Sequence, residues 1–446
     1  MARVSSSGLS SVLAGGDDTI AARATPAGAG ALAVIRISGP RAFEAVRAVA
    51  PRWTPGEPWR AALVRLEVDG VADRAVAIPY RAPRSYTGED MVELMVHGSP
   101  WLVTRALERL AEAGARPAQP GEFTRRAVAN GKMTVEEALG LRDLVAAETR
   151  WQARTAQARA AGAASRRAGA IRDRVLELLA AVEAALDFAG QGVRYDAAAT
   201  ASGLEALRAE LEAAVRAGRS PAVVRGAVRA VVTGPPNAGK SSLFNRLMES
   251  SRAIVSPRPG TTRDTVEGEI AVAGRAVVLV DTAGLGETGD ALEAEGVRRA
   301  EAALADADLV LLVVGADQTA PRLPEGVAGR PVIRVRTRTD LAPAPEMAGW
   351  LDANPVTGEG VTAVREALER SVTALLPEGA GEGLLSPAQA AHAARAAEAL
   401  ARAPAGEPEL VAEALREAAR ALEALVGSVN DEAVLDRVFA TFCLGK

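Results

Sequence analysis

The sequence predicts a multidomain α/β chain, with an α+β N-terminal domain followed by a discontinuous all-α domain into which an α/β domain is inserted. Three observations predict this fold class. Short β-like runs separated by Gly, Pro or Asp clusters fill residues 17–131. Apolar residues recur at helical spacing from about 133 to 222, and again after the segment PEGAGEGLLSP. Between the helical stretches, residues 227–378 alternate strands with helices, the pattern of a parallel sheet.

Each domain has its own predicted elements. In the first, TIAARAT, ALAVIRIS, AALVRLEV, AVAIPYRA and MVELMVHG are predicted strands, and WLVTRALERLAEAG is a predicted helix that stops at Gly114. In the inserted domain the predicted strands are AVRAVVT, RAVVLVDT, DLVLLVVG and PVIRVRT. The predicted bounds are 1–16 for an N-terminal extension, 17–131 for the α+β domain, 132–222 and 379–446 for the two helical parts, and 223–378 for the insertion.

Composition excludes several classes of protein. The 446 residues carry a net charge of −4, so the chain as a whole is not a basic nucleic-acid coat. A single cysteine excludes an intramolecular disulfide framework and fits a reducing cytoplasm. Of 52 basic residues only three are lysine, namely Lys132, Lys240 and Lys446. Either they remain by chance, or they occupy places where the larger, forked guanidinium of arginine cannot substitute.

A phosphate-binding motif follows the first strand of the inserted domain. Residues 234–241 read G-P-P-N-A-G-K-S and run into a helical pattern, which satisfies G-x-x-x-x-G-K-[ST] in its strand–loop–helix context. Backbone N–H groups are expected to surround the phosphates, with Lys240 at the β- and γ-oxygens and Ser241 on Mg²⁺. The loop PGTTRD, and DTAG at the end of a strand, follow in the order found in translation-factor-like GTPases. The insertion is therefore predicted to be a Ras-like P-loop G domain.

Base selection departs from the usual pattern. Where GTPases carry Asn-Lys-x-Asp this chain has Thr337-Arg338-Thr339-Asp340, and the loop expected behind the base is Asn354-Pro355-Val356. Asp340 can still accept from the two N–H donors of guanine, whereas Thr337 lacks the amide of Asn. The positions expected to contact GTP are Asn237, Ala238, Gly239, Lys240, Ser241, Ser242, Ser256, Pro257, Arg258, Pro259, Gly260, Thr261, Thr262, Asp281, Thr282, Ala283, Gly284, Thr337, Arg338, Thr339, Asp340, Asn354, Pro355 and Val356.

The residue that orients the attacking water is less evident from the sequence. Leu285 stands after DTAG, where Ras-like proteins have a water-orienting Gln. Asn237, with the loop 256–261, could instead hold a monovalent cation placed like an arginine finger. Glu293 is an acidic candidate for positioning water, although a solvated carboxylate at a helix start is the simpler interpretation of that residue alone.

Taken with these motifs, the chain end Phe-Cys-Leu-Gly-Lys and the N-terminal segments SYTGEDMVELMVHG and PGEFTRRAVANGK resemble the MnmE family of tRNA-modification GTPases. The resemblance runs from about Asp17 to Lys446. It implies a homodimer and a flavin-bearing partner, MnmG, that together form a heterotetramer. It also implies an aminomethyl-type group added to C5 of the wobble uridine of certain tRNAs, with a 5-formyl- or 5,10-methylene-tetrahydrofolate one-carbon unit.

The resemblance also implies roles for particular residues. Arg36, Glu93, Lys132 and Lys446 become folate contacts, although Glu93 alone could be a strand-end carboxylate and Arg36 a partly buried ion pair. Cys443 lies at the implied one-carbon site, or is simply a small buried thiol. Lys240 and Glu293 become catalytic residues. The implied metal ligands are Ser241 and Thr262 for Mg²⁺, and Asn237, Ser256, Arg258 and Thr261 for K⁺.

Two alternatives stay open. A GTP-switched ribosome-assembly factor shares the P-loop and the PGTTRD loop, but lacks the folate-type N-terminal domain and the terminal Cys-x-Gly-Lys. A mainly structural scaffold would explain the altered base loops. Residues 149–172 hold six arginines and no acid, which indicates either an RNA-contacting face or an ordinary solvated one.

Overall fold

The computed structural model describes residues 18–188, 194–250, 266–282, 300–321, 327–340, 347–379, 387–404 and 406–426, together with 381, 385, 439, 442 and 445. The chain forms two compact units, one of residues 1–142 with 428–446 and one of residues 143–427. The five domain bounds predicted above stay a prediction. No helix in the described part of the chain is long and apolar enough to cross a membrane.

A six-stranded sheet forms the first unit. Its strands are β1 (Thr19–Arg23), β2 (Gly30–Ser38), β3 (Ala62–Val68), β4 (Val71–Tyr80), β5 (Met91–Gly98) and β6 (Ala115–Pro117). They lie in the order β3-β4-β5-β2-β1-β6, and β6 pairs parallel to β1 while the other pairs are antiparallel. The helices are α1 (Ala42–Ala45), α2 (Pro100–Glu112) and α3 (Glu122–Ala129).

Alternation along β2 and β5 separates a core face from a polar face. Ile35 pairs with Leu94 across the two strands, and both are fully buried in the apolar core with Leu110 of α2. The next pair, Arg36 and Glu93, lies on the opposite face because successive strand residues point to opposite sides. Ser99 caps α2 by accepting from the Leu102 N–H, and Pro100 occupies its first turn.

Helices of the second unit come from two distant parts of the chain. The first part has α4 (Val135–Val145, which begins in the first unit), α5 (Arg150–Ala160), α6 (Ala163–Asp187), α7 (Ala197–Arg219) and α8 (Pro221–Arg225). The second has α11 (Pro387–Ala401) and α12 (Pro408–Val426). α6 packs on α12, and α7 packs on α11, around one apolar core. The discontinuous helical domain predicted from periodicity is confirmed.

A second six-stranded sheet lies between these helical parts in sequence. It contains β7 (Ala227–Thr233), β8 (Val266–Val272), β9 (Arg275–Asp281), β10 (Leu309–Gly315), β11 (Val332–Thr337) and β12 (Trp350–Asp352), with α9 (Lys240–Ser250) and α10 (Val361–Leu375) among its helices. The order is β12-β11-β10-β7-β9-β8, parallel except for β8. The carboxyl ends of the parallel strands therefore meet at one edge, where ligands bind in such sheets.

Candidate functional site

The loop between β7 and α9 has a backbone that few residues can adopt. Gly234 has φ +149°, and a Cβ there would collide with the carbonyl oxygen of Val313 on the neighbouring strand β10. Asn237 and Gly239 both have positive φ, at +57° and +83°. Such left-handed turns aim successive N–H groups into one concavity, which is how a backbone anion site is built.

Lys240 is buried inside this loop. Its Nζ donates to the carbonyl oxygens of Gly234 at 3.1 Å and Pro235 at 2.8 Å. Burial lowers the pKa of Lys240, and the Asp281 carboxylate acts in the opposite direction. The side chain is 8% exposed, and the two carbonyls leave little freedom for a different cation. This position therefore supports the interpretation that lysine remains here because arginine does not fit.

The start of α9 and the end of β9 lie beside that loop. Ser241 and Ser242 are exposed in the first turn of α9, where the backbone N–H groups are without helical partners and the helix dipole is positive. Asp281 ends β9 opposite Val232 of β7 and is buried. The Thr282 hydroxyl donates to the Val232 carbonyl at 2.9 Å, so the DTAG strand end is fixed to the strand that precedes the P-loop.

The predicted base loop is tied to the phosphate loop. Thr337 is fully buried, and its Oγ1 donates to the Ala238 carbonyl oxygen at 2.6 Å. Arg338 has φ +57°, donates to the Asn237 carbonyl at 3.4 Å and pairs with Asp317 at 3.4 Å. At the position where GTPases usually carry Asn, a hydroxyl thus links the two loops.

Gln318 is a contact that sequence reasoning missed. Its Nε2 donates to the Pro236 carbonyl at 2.9 Å, and its Oε1 accepts from the Gly315 N–H at 3.1 Å. The residue thereby connects the end of β10 to the exposed side of the phosphate loop. No motif marks it, because its role depends on the neighbouring strand rather than on spacing in the chain.

A tight turn follows β12. Asn354 Oδ1 accepts from the N–H groups of Val356 at 3.0 Å and Thr357 at 3.2 Å, and Val356 is 81% exposed. Asp352 pairs with buried Arg336 at 2.6 Å and so holds β12 to β11. The Asn354 side chain therefore orders the turn that stands where GTPases usually have the loop behind the base.

Several predicted residues lie outside the described residues, and their places stay predictions. They are Ser256, Pro257, Arg258, Pro259, Gly260, Thr261, Thr262, Ala283, Gly284, Glu293, Cys443 and Lys446. Of the predicted nucleotide positions that are described, the structure brings the P-loop, Asp281, Thr337 and Arg338 together. Asp340 is exposed.

A second polar cluster lies on the first unit. Arg36 and Glu93 pair directly across β2 and β5, with Nη2 to Oε1 at 2.7 Å and Nε to Oε1 at 3.0 Å. The guanidinium also lies over the rings of Tyr86, at 4.9 Å, and Phe123, at 5.6 Å. Both charged side chains are about 15% exposed, so the pair is largely removed from water. Arg36 is thus part of a partly buried ion pair, and its role as a folate contact stays a prediction.

Two phenols complete this cluster. Tyr80 donates from its hydroxyl to Glu93 Oε2 at 3.1 Å, and burial with the nearby Glu93 charge raises the pKa of Tyr80 to about 12. Burial also raises the pKa of Tyr86, whose hydroxyl lies 2.7 Å from that of Thr124. Both phenols thus stay neutral near pH 7 and keep the ability to donate hydrogen bonds.

The end of the chain reaches the same cluster. The Gly445 carbonyl oxygen accepts from Arg36 Nη1 at 3.2 Å. Gly445 has φ +87°, and a Cβ there would collide with the Arg23 carbonyl. Phe439 and Phe442 pack with Ala138 in a small apolar cluster of this unit. Residues more than 400 positions apart in sequence therefore meet at Arg36.

Lys132, the third predicted folate contact, is held by a turn of the same unit. Its Nζ donates to the Pro83 carbonyl at 2.9 Å, and its side chain passes close to Gly88, which has φ +82°. Among the described residues, no group of three His, Cys, Asp or Glu side chains is arranged to hold a metal ion.

Two family profiles match the chain. One, described as the GTP-binding protein TrmE N-terminus, matches residues 19–132, and the other, the MnmE helical domain, matches residues 135–443. The tRNA modification GTPase MnmE of Thermus thermophilus is 42% identical over 438 residues, covering 96% of this chain and 99% of its own.

The chain belongs to the MnmE family of tRNA modification GTPases. The Methylorubrum populi MnmE is 45% identical over 444 residues, with 96% of this chain and 98% of its own covered. Among solved structures, the G domain of the T. maritima FeoB iron transporter is 27% identical and covers 32% of this chain and 98% of its own, with a TM-score of 0.24. As an MnmE family member, the chain is a GTP-hydrolysing enzyme of tRNA modification, and tRNA is its substrate class.

Proposed function

We propose that this chain is a K⁺-dependent GTPase that acts with the flavoprotein MnmG on the wobble uridine of certain tRNAs. The reaction adds an aminomethyl or carboxymethylaminomethyl group to C5 and uses a tetrahydrofolate one-carbon unit. The contact between Gly445 and Arg36 carries the proposal, because Gly445 belongs to the Cys-x-Gly-Lys motif and its carbonyl lies at the Arg36–Glu93 pair. A ribosome-assembly GTPase lacks the folate-type N-terminal domain and the terminal Cys-x-Gly-Lys, so this contact favours the proposal over that alternative.

The P-loop supports the proposed phosphate site. The N–H groups of 237–241 surround the phosphates, and Lys240 moves from the carbonyls of its own loop to the β- and γ-oxygens. Ser241, exposed in the first turn of α9, fits an Mg²⁺ ligand, and Thr262 is proposed as the second. Asp281, at the adjoining strand end, would hold the metal through a water ligand. When bound, Mg²⁺ would neutralise part of the phosphate charge.

Guanine selection is proposed for the loops that follow β11 and β12. Asp340 accepts from the two N–H donors of guanine, which adenine does not offer. The Thr337–Ala238 hydrogen bond supports this role, because it fixes the spacing between the base loop and the phosphate loop. Asn354, Pro355 and Val356 form the turn behind the base, together with Arg338 and Thr339 in the loop before it.

We propose that Glu293 activates the attacking water. We also propose that K⁺ supplies the positive charge that an arginine finger provides in other GTPases. The proposed K⁺ ligands are Asn237, Ser256, Arg258 and Thr261. Of these the structure describes Asn237, an exposed P-loop residue with left-handed φ, and an amide oxygen suits an alkali cation. The absence of a Gln after DTAG is consistent with a cation in this role.

The donors and acceptors of the Arg36 cluster fit a folate. Glu93 Oε2 has one phenol donor and keeps capacity for a pterin N–H, while the Tyr86 and Phe123 rings offer flat apolar surface. Arg36 and Lys132, with Lys446, are proposed to bind the carboxylates or ring acceptors. When bound, the folate supplies the one-carbon unit, and Cys443 is proposed to lie beside it. The neutral Tyr80 hydroxyl keeps the Glu93 carboxylate oriented.

Further parts of the proposal rest on membership of the family. These are a homodimer, a heterotetramer with MnmG and a cytoplasmic location. The five domain bounds rest on the composition and periodicity of the sequence.

Nucleoside analysis of bulk tRNA tests the proposal. Cells lacking the gene are compared with cells carrying the natural gene or the Lys240→Ala or Glu93→Ala variant. We expect the C5 aminomethyl-type uridine to vanish without the gene, to return with the natural gene and to stay absent with both variants. An unchanged nucleoside profile in the deletion strain would favour the ribosome-assembly alternative. Restoration by Glu93→Ala alone would remove the folate part and leave the GTPase part intact.

A further inference from the structure

The arginine-rich segment 149–172 has two kinds of arginine in the structure. Four of the six are engaged within the helical part in ways typical of a solvated face. Arg159 pairs with Asp143 at 3.0 Å, Arg167 with Glu210 at 3.3 Å and Arg172 with Asp173 at 2.6 Å, while Arg166 donates to the Ala161 carbonyl. The other two, Arg150 and Arg154, converge on one carboxylate, that of Glu378.

A positively charged cleft of about 150 Å³ forms where these two arginines meet the β8–β9 turn. Arg154 Nη1 lies 2.6 Å from Glu378 Oε1, and Arg150 Nη2 lies 3.7 Å from the same atom. Arg275 of β9 also lines the cleft. The described residues that line it include three guanidinium groups and one carboxylate.

The walls of the cleft are fixed by backbone hydrogen bonds. Trp151 is 7% exposed, its N–H donates to the Gly274 carbonyl at 3.0 Å, and its Nε1 donates to the Pro377 carbonyl at 3.3 Å. Arg275 Nε donates to the Leu376 carbonyl at 2.6 Å, and its Nη1 to the Ala273 carbonyl at 2.8 Å. The backbone that carries these arginines is thus fixed, so a bound group does not first have to order it.

We propose that this cleft binds a backbone phosphate of the tRNA substrate, which takes the place of the Glu378 carboxylate between Arg150 and Arg154. The Glu378 carboxylate already marks a position where one oxyanion oxygen faces two guanidinium groups, at 2.6 Å from Arg154 Nη1 and 3.7 Å from Arg150 Nη2. Arg150 and Glu378 are 76% and 65% exposed at the side chain, so a large polyanion can reach them and displace the glutamate. The ion pair itself is a weak, solvent-screened one.

RNA is favoured over other phosphate compounds because tRNA is the substrate class of the family, and the inference rests on that premise. Contacts of arginine to phosphate carry no sequence information, which suits an enzyme that handles several tRNAs. The exchange also links two events: a phosphate that displaces Glu378 breaks the ion pairs between α5 and the segment that follows α10.

Two variants distinguish a phosphate contact of Arg150 and Arg154 from a purely structural role of these residues. Both variants break the same ion pairs with Glu378. In Arg150→Gln/Arg154→Gln the cations are lost, whereas in Glu378→Gln only the competing carboxylate is lost. Filter binding of labelled bulk tRNA to the full chain is measured across a salt series, with GDP saturating the nucleotide site. We expect the double variant to bind on the order of tenfold more weakly at low salt, with a salt slope shallower by about one to two. We expect Glu378→Gln to bind more tightly than the unaltered chain.

The matched controls come from an exposed ion pair elsewhere in the same unit, Arg402 with Glu417 at 2.8 Å. Arg402→Gln and Glu417→Gln should leave the salt slope unchanged. Weaker binding by both Arg150→Gln/Arg154→Gln and Glu378→Gln would indicate a structural latch and overturn the proposal. The proposal would also be overturned if the double variant bound tRNA with the same affinity and salt slope as Arg402→Gln. The same holds if the unaltered chain bound no tRNA. Tripolyphosphate binding that falls in the double variant while tRNA binding does not would overturn the assignment to RNA.

Discussion

The hydroxyl of Thr337 donates to the backbone carbonyl of Ala238, so the loop proposed to recognise the base is fastened to the loop proposed to hold the phosphates. Both residues are fully buried. The altered Thr-Arg-Thr-Asp sequence therefore still joins the two loops, and the scaffold alternative loses part of its motivation.

Removing that hydroxyl should weaken nucleotide binding. Thr337→Val keeps the side-chain shape but leaves the buried Ala238 carbonyl without this donor. We expect the affinity for GDP to fall about five- to a hundredfold, from a cost of about 1–3 kcal/mol for an unsatisfied buried group. Calorimetric titration with GDP and ADP measures it. Thr362→Val, at an exposed position of α10, is the control. Equal GDP affinity in both variants would show that the bond is dispensable.

The proposed monovalent cation gives a prediction about salt. At equal ionic strength, GTP hydrolysis should be at least about tenfold faster in KCl than in NaCl, since a cation in the place of an arginine finger neutralises transition-state charge. Asn237→Ala should reduce the rate in KCl to that in NaCl. GDP affinity, measured in both salts, should change little by comparison. Equal hydrolysis rates in the two salts would contradict the proposal.

Gly234 should tolerate no side chain. Gly234→Ala places a Cβ against the Val313 carbonyl in a φ region that alanine avoids, so β10 or the P-loop must shift. We expect loss of measurable GDP binding and a lower unfolding temperature. Gly169→Ala, in open space within α6, is the matched substitution and should stabilise the helix by about 0.5–1 kcal/mol. Normal GDP binding by Gly234→Ala would contradict the described loop geometry.

Tyr80 provides a prediction about alkaline pH. Its folded pKa of about 12 lies above the ordinary value of 10.0, so the folded state holds the proton while the unfolded state releases it. The corresponding stability is present below pH 10 and is lost as the pH rises toward 12.

Absorbance titration of tyrosinate measures this directly. The step of Tyr86, whose pKa is also raised, should remain in Tyr80→Phe, whereas the component near pH 12 that belongs to Tyr80 should vanish. It should move to lower pH in Glu93→Gln, because the variant removes the negative charge that opposes ionisation. A Glu93→Gln curve identical to that of the unaltered chain would show that burial alone sets the pKa of Tyr80.

Much of the fold could be predicted because the periodic signals were strong. The strand Leu309–Gly315 is buried at every position, and the helices α6 and α7 are long and amphipathic. The strands that were missed are β6 and β12, of three residues each, and β8, whose alternation is interrupted by Gly268. Short strands form because neighbouring strands pair with them, and this pairing is hard to predict from a single sequence.

The candidate sites show the same limit. The P-loop is local, and its residues, spacing and context all lie in one segment. By contrast, Arg36 and Gly445 come into contact only in the folded chain. From the sequence, the two regions could be assigned to one site only through the resemblance to a family. Gln318 had no signal of either kind, since its contacts depend on the path of β10 beside the P-loop.

The divided helical core has a consequence for synthesis on the ribosome. α6 and α7 are complete by residue 219, but α12, against which α6 packs, ends at residue 426. At about 5–20 residues per second, the buried face of α6, with Ile171 and Val175, waits roughly 10–40 s for its partner helix to be translated. During that interval the nascent chain presents an uncovered aliphatic surface while the G domain emerges. A chaperone that binds apolar helices can therefore bind the exposed face of α6 in the interval before α12 is translated.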